Sequence, residues 1–346
     1  MANVVKHWRV WLLGAVVSVV AILIIASQIN LDEMVTAFQN ATPIHILESA
    51  LLVVAGLFFR AVRWRVLLSG GLPLGRAFNI INVTYLANGI LPLRLGEAAR
   101  MFLATRADPP VPVFKSASTI IVERLLDVLA VLVILALSLS AAPLPDWLRT
   151  AASFSVVLVI FGFLTLVILA SQRDLTLRII GWFVARIALL QRVDLVGWAG
   201  HFLDGLKPLT QPSALFSALL WTTVAWGFSL LSGYILMQSF YETPDWVATL
   251  LFTAAASFAV AVPAVPGNVG PYEAAIIASM SALGYESLEV ATAFALAVHG
   301  VNLLINAILG TVGITQEGIS LRQLVQGVRG MQTQNIQNVQ AEVYDD

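Results

Sequence analysis

Apolar residues run along most of this chain in stretches of about 20 residues, the length that a helix needs to cross a lipid bilayer. Polar and charged residues are concentrated in short segments between these runs. Together with two shorter apolar segments, the runs predict an all-α polytopic integral membrane protein with about six to eight membrane helices. The longest runs predict helices at Val10–Ile29, Ile44–Leu68, Ser118–Ser140, Ala152–Ala170, Ala214–Gln238 and Val290–Ile314.

The two shorter segments each end in a break that a helix cannot continue through. Phe78–Leu91 runs into Pro92, and Trp246–Pro263 runs into a stretch rich in proline and glycine. In both breaks, near residues 91–97 and 263–273, a proline is followed by a glycine four residues later and then by a glutamate. Paired broken segments are typical of transporters built from inverted repeats. The pattern predicts two re-entrant hairpins of opposite orientation, and hairpins that cross the membrane fully are the alternative.

Composition agrees with a membrane location and limits the chemistry. Of the 346 residues, 59% are hydrophobic and 11% are charged, whereas a soluble domain is about a quarter charged. The formal net charge of −1 gives no sign of a nucleic-acid partner. Cysteine is absent and the four histidines are scattered. We therefore expect no disulfide, no metal site and no cofactor.

Basic residues predict the orientation of the chain, because lysine and arginine near helix ends favour the cytoplasmic side. Arg60, Arg63 and Arg65 end the second predicted helix, and further basic residues precede the first. Of 19 lysine and arginine residues, Arg149 falls in a loop that this path places outside. Both termini are therefore predicted to be cytoplasmic.

The predicted domain layout is simple. Residues 1–318 form a single transmembrane domain. Within it, residues 175–207 carry arginines such as Arg178 and Arg186 on one face amid apolar side chains, as expected of a cytoplasmic interfacial amphipathic segment attracted to anionic lipid. Residues 319–346 are rich in glutamine and asparagine and then acidic, which predicts a disordered cytoplasmic tail.

Arg94, Glu97 and Arg100 follow one another at intervals of three, so on a helix they share a face. Two guanidinium groups on such a face could hold a phosphate, and a carboxylate could orient one of them. A cytoplasmic helix end with solvated charges is the alternative. We predict that Arg94 and Arg100 bind substrate and that Glu97 provides charge balance or proton coupling.

Glu123, Arg124 and Asp127 lie within an apolar run. Glu123 and Asp127 are four residues apart, and two nearby carboxylates favour protonation of one of them, which suits proton coupling. A self-neutralising Arg124–Asp127 pair at the membrane edge is the alternative. We predict Arg124 as a substrate-binding residue and the two carboxylates as residues of charge balance or proton coupling.

Asn268, Pro271 and Glu273 mark the second break. Pro271 suits the first turn of a helix, Asn268 could cap that helix, and the free N–H groups of its first turn would then favour an anion. Glu273 could instead stabilise the first turn alone, or pair with an arginine of the first hairpin. We predict Asn268 as a substrate-binding residue and Glu273 as a residue of charge balance or proton coupling.

His299, Asn302 and Asn306 form one polar stripe on the last predicted membrane helix. Such stripes often only join neighbouring membrane helices, and a position on a transport path is the alternative. On the second interpretation His299 and Asn302 contribute to charge balance or proton coupling.

Four segments, taken in this order, resemble one known family. They are Leu91–Arg100, Glu123–Asp127, Val265–Glu273 and His299–Asn302. The chain resembles the transmembrane region of lysylphosphatidylglycerol synthases over nearly the whole membrane part. In that family, the multiple peptide resistance factor joins this membrane domain to a soluble aminoacyl-transferase domain, and the membrane domain is taken to flip the modified lipid between leaflets. We expect a stand-alone member without the soluble transferase domain.

The resemblance implies a lipid flippase or transporter in a prokaryotic inner (cytoplasmic) membrane. Its substrate would be a phospholipid or a lipid-linked polyprenyl or aminoacyl headgroup, so the expected partners are membrane lipids with an anionic or phosphate-bearing head. An intramembrane headgroup transferase and a membrane partner subunit of a lipid-modifying enzyme are the alternatives, and a homo-oligomer is left open. No catalytic residue is predicted, and no P-loop sequence is present.

Overall fold

A computed structural model describes residues 2–91, 95–141, 146–186, 195–260, 266–285, 287–328 and 330. All regular secondary structure in these ranges is helical, which confirms the predicted all-α membrane fold. Arg94 and the start of the second predicted break lie outside the described residues. Within the predicted tail, residues 321–328 form a helix whose Leu324 and Val328 are buried, which differs from the disorder expected there.

The helices between Ala2 and Gln316 are numbered in chain order. The first seven are α1 (Ala2–Ala26), α2 (Leu31–Asn40), α3 (Pro43–Leu67), α4 (Leu74–Ile90), α5 (Gly96–Thr105), α6 (Val113–Ala141) and α7 (Asp146–Ser171). The remaining six are α8 (Arg173–Val184), α9 (Leu195–Leu206), α10 (Pro212–Met237), α11 (Trp246–Ala259), α12 (Pro271–Ala282) and α13 (Leu288–Gln316). Short 3₁₀ helices lie at Lys207–Thr210 and Pro266–Asn268.

Three of these helices, α3, α10 and α13, are long and apolar enough to cross a membrane. The number of candidate membrane spans rises to as many as five if each of two bent helix pairs is one span. These pairs are Gly14–Ala26 with Leu31–Asn40 and Ile160–Ser171 with Arg173–Val184. The observed bounds of α3, α10 and α13 agree with the predicted runs to within a few residues. The predicted number of membrane helices stays a prediction.

The chain bends sharply at two places, between α1 and α2 and between α7 and α8. α2 turns by 87° from α1, in the segment between the first two predicted membrane helices. Its start is fixed by the side chain of Asn30, which accepts a hydrogen bond from the backbone N–H of Asp32. α8 turns by 95° from α7 and exposes Trp182 and Phe183. An exposed aromatic face suits the predicted amphipathic segment, and its location at the cytoplasmic interface stays a prediction.

The first hairpin is formed by α4 and α5, which pack against each other. Gly96 begins α5, and a Cβ at this position would clash with the carbonyl oxygen of Thr84 and the side chain of Asn88. The same Asn88 accepts a hydrogen bond of 2.8 Å from the Gly96 N–H and donates one of 3.3 Å to Glu97. The glycine in the first break is thus required for the close approach of the two hairpin arms.

The second hairpin is formed by α11 and α12. Gly267 and Gly270 both have positive φ, and a Cβ at Gly270 would come within 2.9 Å of a carbonyl oxygen of α1, that of Ser18. Pro271 occupies the first turn of α12, as predicted. The capping interaction comes from Glu273, which accepts a 2.7 Å hydrogen bond from the Gly270 N–H. The expectation that Asn268 caps this helix is wrong, because its side chain donates instead to the Val260 carbonyl oxygen.

Helices α3–α6 and α10–α13, here called the first and second halves, pack in matching ways. α3 lies along α10. α4 contacts α5 and α13, just as α11 contacts α12 and α6. Exchanging the two halves therefore maps these contacts onto one another, as an internal repeat predicts. The opposite membrane orientation of the halves and the re-entrant nature of the hairpins stay predictions.

Candidate functional site

Two neighbouring cavities lie between the two halves. The larger has a volume of about 410 Å³ and the smaller about 230 Å³. Among the residues that line the larger cavity alone, Asp127 is charged and the others are apolar or carry hydroxyl groups. The residues shared by both cavities, here called the junction, are Arg60, Tyr85, Arg124, Val260, Tyr272, Asn302 and Asn306.

A group of charged side chains, here called the arginine cluster, lies against these cavities and consists of Arg60, Arg63, Arg100, Glu123, Arg124 and Asp127. Its centre is Arg63, which is 1% exposed. Two Arg63 nitrogens donate to the two carboxylate oxygens of Asp127 at 2.7 and 3.3 Å. Asp127 also accepts a 3.2 Å hydrogen bond from the indole of Trp226. Buried charges need this kind of paired contact to offset their lost hydration.

The second contact of the cluster joins the first hairpin to the long helix that follows it. Arg100 Nη1 lies 2.5 Å from Glu123 Oε2, and both residues are buried. The Arg100 guanidinium also lies over the ring of Trp64, 3.9 Å from its centroid, a cation–π contact. Its Nε and Nη2 are buried and have no hydrogen-bond partner among the described residues. Arg100 can therefore still donate hydrogen bonds from Nε and Nη2 while Nη1 is bound to Glu123.

Arg60 and Arg124 are the members of the cluster with weaker contacts. Their nearest carboxylate is Asp127, at 3.7 Å from Arg60 and 3.4 Å from Arg124. The side chain of Arg124 is 49% exposed, and both arginines line the junction. Within the cluster, four guanidinium groups face two carboxylates, so its excess charge is positive. The junction can therefore accept an anion.

Glu273 and His299 form a separate buried pair in the second half. Glu273 Oε1 lies 2.5 Å from His299 Nδ1, and the His299 ring stacks on Tyr272 with centroids 4.4 Å apart. The described ion-pair partner of Glu273 is thus a histidine, not an arginine of the first hairpin. Because its other oxygen binds the Gly270 N–H, Glu273 itself occupies the helix start where an external anion had been expected.

Carboxamide side chains form much of the remaining polar lining of the smaller cavity, beside the hydroxyl groups of Thr84, Tyr85 and Tyr272. The carboxamides are contributed by α4, by the 3₁₀ turn before α12 and by α13, as Asn88, Asn268, Asn302 and Asn306. Asn302 donates to the Val298 carbonyl oxygen of its own helix. The Oδ1 atom of Asn306 is buried without a hydrogen-bond partner among the described residues.

The structure brings most of the predicted site residues to one place. Asp127 lines the larger cavity, and Glu273 stands behind His299 as its bonding partner. Arg94 lies outside the described residues. The functional roles assigned to all of these residues stay predictions. The predicted residues that line the smaller cavity are Glu97, Arg100, Glu123, Arg124, Asn268, His299 and Asn302.

Sequence reasoning missed Arg60 and Arg63 as parts of the site. The charge pattern predicts only that both lie at the cytoplasmic end of a helix, and the structure places Arg63 in the centre of the arginine cluster. A signal was present, because Glu123 and Asp127 stand inside an apolar run and need counter-charges that Arg124 alone cannot supply. The aromatic residues Tyr85 and Trp226 carried no comparable signal.

These features define a polytopic helical membrane protein with a charged internal site between two similar halves. The chain belongs to the family described as the lysylphosphatidylglycerol synthase TM region, whose model matches residues 11–310. Among curated proteins, it is similar to "Glycosyltransferase AglD" of Haloferax volcanii, with 22% identity over 349 residues. That match covers 90% of this chain and 55% of the relative, so the chain spans about half the length of AglD. No solved structure matches the chain.

Proposed function

We propose that this protein moves a phosphate-bearing lipid headgroup between the two leaflets of the membrane through the cavities between its halves. The family and the curated relative support a lipid-related role in a membrane. The observation that carries the finer proposal is the pair Arg60 and Arg124 at the junction. They are the least neutralised cations of the arginine cluster and line both cavities.

The chemistry follows from the cost of charge in lipid. A phosphate that leaves the membrane surface loses hydration, and a charged group at the bilayer centre costs at least about 3 kcal/mol. The junction offers guanidinium donors, which bind phosphate through charge-assisted hydrogen bonds. Glu123 and Asp127 neutralise the deeper arginines, so that binding at the junction remains reversible. The acyl or prenyl chains would remain in the surrounding lipid.

The test measures lipid movement directly. Purified protein is reconstituted into vesicles that contain tail-labelled phosphatidylglycerol, and the label reaching the outer leaflet is followed by dithionite quenching. Wild type is compared with Arg124→Gln. Arg322→Gln is the matched control, since Arg322 is exposed and lines neither cavity. Loss of a charge-assisted contact predicts a rate about tenfold lower in Arg124→Gln.

Equal rates in wild type, Arg124→Gln and protein-free vesicles would overturn the proposal. Mass spectrometry of the lipids retained by the same purified proteins gives an independent readout. Wild type should retain a phosphate-bearing lipid that Arg124→Gln loses.

A second candidate function rests on the name of the curated relative, which is a glycosyltransferase. On this alternative, the protein transfers a group onto a lipid headgroup or serves as the membrane subunit of an enzyme that does so. Incubation of purified protein with a labelled nucleotide sugar and a polyprenyl phosphate separates the possibilities. Product formation by the protein alone favours a transferase, and product that requires a co-expressed chain favours a subunit.

A further inference from the structure

The four carboxamides of the smaller cavity are not explained by phosphate binding alone. Arginines and backbone N–H groups suffice to hold a phosphate, whereas each carboxamide offers both a donor and an acceptor. Asn88 comes from the first half, and Asn268, Asn302 and Asn306 come from the second. These groups thus face the same space from both sides of the site.

At least two of the four have amide oxygens that accept no hydrogen bond among the described residues. The Oδ1 atom of Asn306 is buried with no hydrogen-bond partner among the described residues. Asn302 uses its NH₂ group on the Val298 carbonyl oxygen, which leaves its amide oxygen as an acceptor. An unpaired buried acceptor costs free energy unless a ligand or water supplies a donor. The lining therefore calls for a ligand that has hydrogen-bond donors as well as a negative charge.

The charges of the site indicate which donors are suitable. Glu123 and Asp127 are bound to arginines, and Glu97 accepts a hydrogen bond from Asn88. The described partner of Glu97 is thus a neutral amide, but the guanidinium groups that line the smaller cavity still outnumber the carboxylates. An ammonium group entering this cavity would therefore meet an excess of positive charge. Hydroxyl groups carry no such penalty, and they can both donate to the asparagine oxygens and accept from their NH₂ groups.

We infer that the smaller cavity selects a lipid phosphate whose headgroup is an uncharged polyol, such as glycerol, inositol or a sugar. Both parts of the headgroup lie at the junction, which borders the smaller cavity. The phosphate lies against Arg60 and Arg124, and the hydroxyl groups lie against Asn302 and Asn306. This inference rests on the proposed function, because it assumes that the junction binds a lipid phosphate. It adds a discrimination against a bare phosphate and against a cationic, aminoacylated head.

The experiment is a competition for the purified full-length protein in detergent. Equal amounts of phosphatidylglycerol, phosphatidic acid and lysylphosphatidylglycerol with identical acyl chains are offered, and bound lipid is counted by native mass spectrometry. Wild type should retain phosphatidylglycerol about fivefold over each competitor, the effect of one net hydrogen bond. The double variant Asn302→Ala/Asn306→Ala should retain phosphatidylglycerol no better than phosphatidic acid.

Asn79→Ala is the matched control and should keep the wild-type preference. Asn79 lies on α4, bonds to Gln316 and lines neither cavity. Unfolding temperature is measured for every variant, and Asn306→Ala alone makes the same test if the double variant does not fold.

The outcomes separate this inference from the proposed function. Equal retention of phosphatidylglycerol and phosphatidic acid by wild type, with both lowered by Arg124→Gln, overturns polyol selection and leaves lipid transport standing. Preferential retention of lysylphosphatidylglycerol overturns it in favour of an aminoacylated substrate. If Arg124→Gln retains every lipid as wild type does, the proposed function fails together with the inference.

Discussion

Glu273 and His299, 2.5 Å apart, fasten α12 to α13 in the second half as Arg100 and Glu123 fasten α5 to α6 in the first. In each half, the returning arm of a hairpin is thus tied by one buried contact to the long helix that follows it. The chemical roles are exchanged between the halves, because the first hairpin contributes the basic residue, Arg100, whereas the second contributes the carboxylate, Glu273. These two contacts set the position of the hairpins beside the cavities.

Glu123→Gln should lower the free energy of unfolding by about 3 kcal/mol, because Arg100 would remain buried without its counter-charge. Unfolding in mixed detergent micelles with increasing sodium dodecyl sulfate measures this change. Arg124→Gln provides the comparison, since its half-exposed side chain predicts a loss of about 1 kcal/mol or less. Equal losses in the two variants would show that burial of the Arg100–Glu123 contact does not matter for stability.

Glu273→Ala should loosen the start of α12, because the Gly270 N–H loses its acceptor. Loss of a helix cap costs about 1 kcal/mol, and the same change also removes the contact with His299 that holds α12 against α13. Hydrogen–deuterium exchange of peptides covering residues 266–282 measures it, and faster exchange is expected there. Glu273→Gln keeps an acceptor oxygen and should exchange more slowly than Glu273→Ala. Identical exchange in wild type and Glu273→Ala would contradict the capping role.

Gly310→Ala should disturb the packing of α13 on α4, because a Cβ there would clash with Leu86 and lie 2.8 Å from the Asn82 carbonyl oxygen. Overpacking of this kind costs about 1–3 kcal/mol. Gly300→Ala lies in the same helix with nothing within 4 Å and should be stabilising by about 0.5–1 kcal/mol. Thermal unfolding of the two variants beside wild type tests the predicted opposite signs.

Single cysteines can map the predicted orientation without background, since the natural chain has none. The loop that carries Glu242 has no lysine or arginine, which predicts the outside, and Asp108 follows the first hairpin, which is predicted to return to the cytoplasm. In right-side-out vesicles, an impermeant maleimide should therefore label Glu242→Cys but should label Asp108→Cys only after permeabilisation. Leu91→Cys, at the tip of the first hairpin, distinguishes the two interpretations of that segment. Labelling from outside would show that the hairpin crosses the membrane, and protection from outside is expected if it is re-entrant.

Local patterns predicted the helices, whereas long-range contacts decided the site. The apolar run of α13 and the proline at the start of α12 can each be recognised from a short stretch of sequence, because helix length and proline placement are local properties. The partner of Arg63 is Asp127, 64 residues further on, and no periodicity relates the two. For the same reason Glu273 was recognised as unusual while His299 was assigned to a separate stripe.

The match between the halves also bears on how the chain arose. α3 finds its long-range partner in α10, and α4 finds its partner in α13, so each half covers surfaces that the other would leave bare. This is the geometry of an isologous dimer, in which two copies present the same faces to each other. A gene encoding only one such half would have had to form a homodimer, with its pocket completed by the second copy. Duplication and fusion would then have allowed the two copies to diverge, one towards arginines and the other towards asparagines.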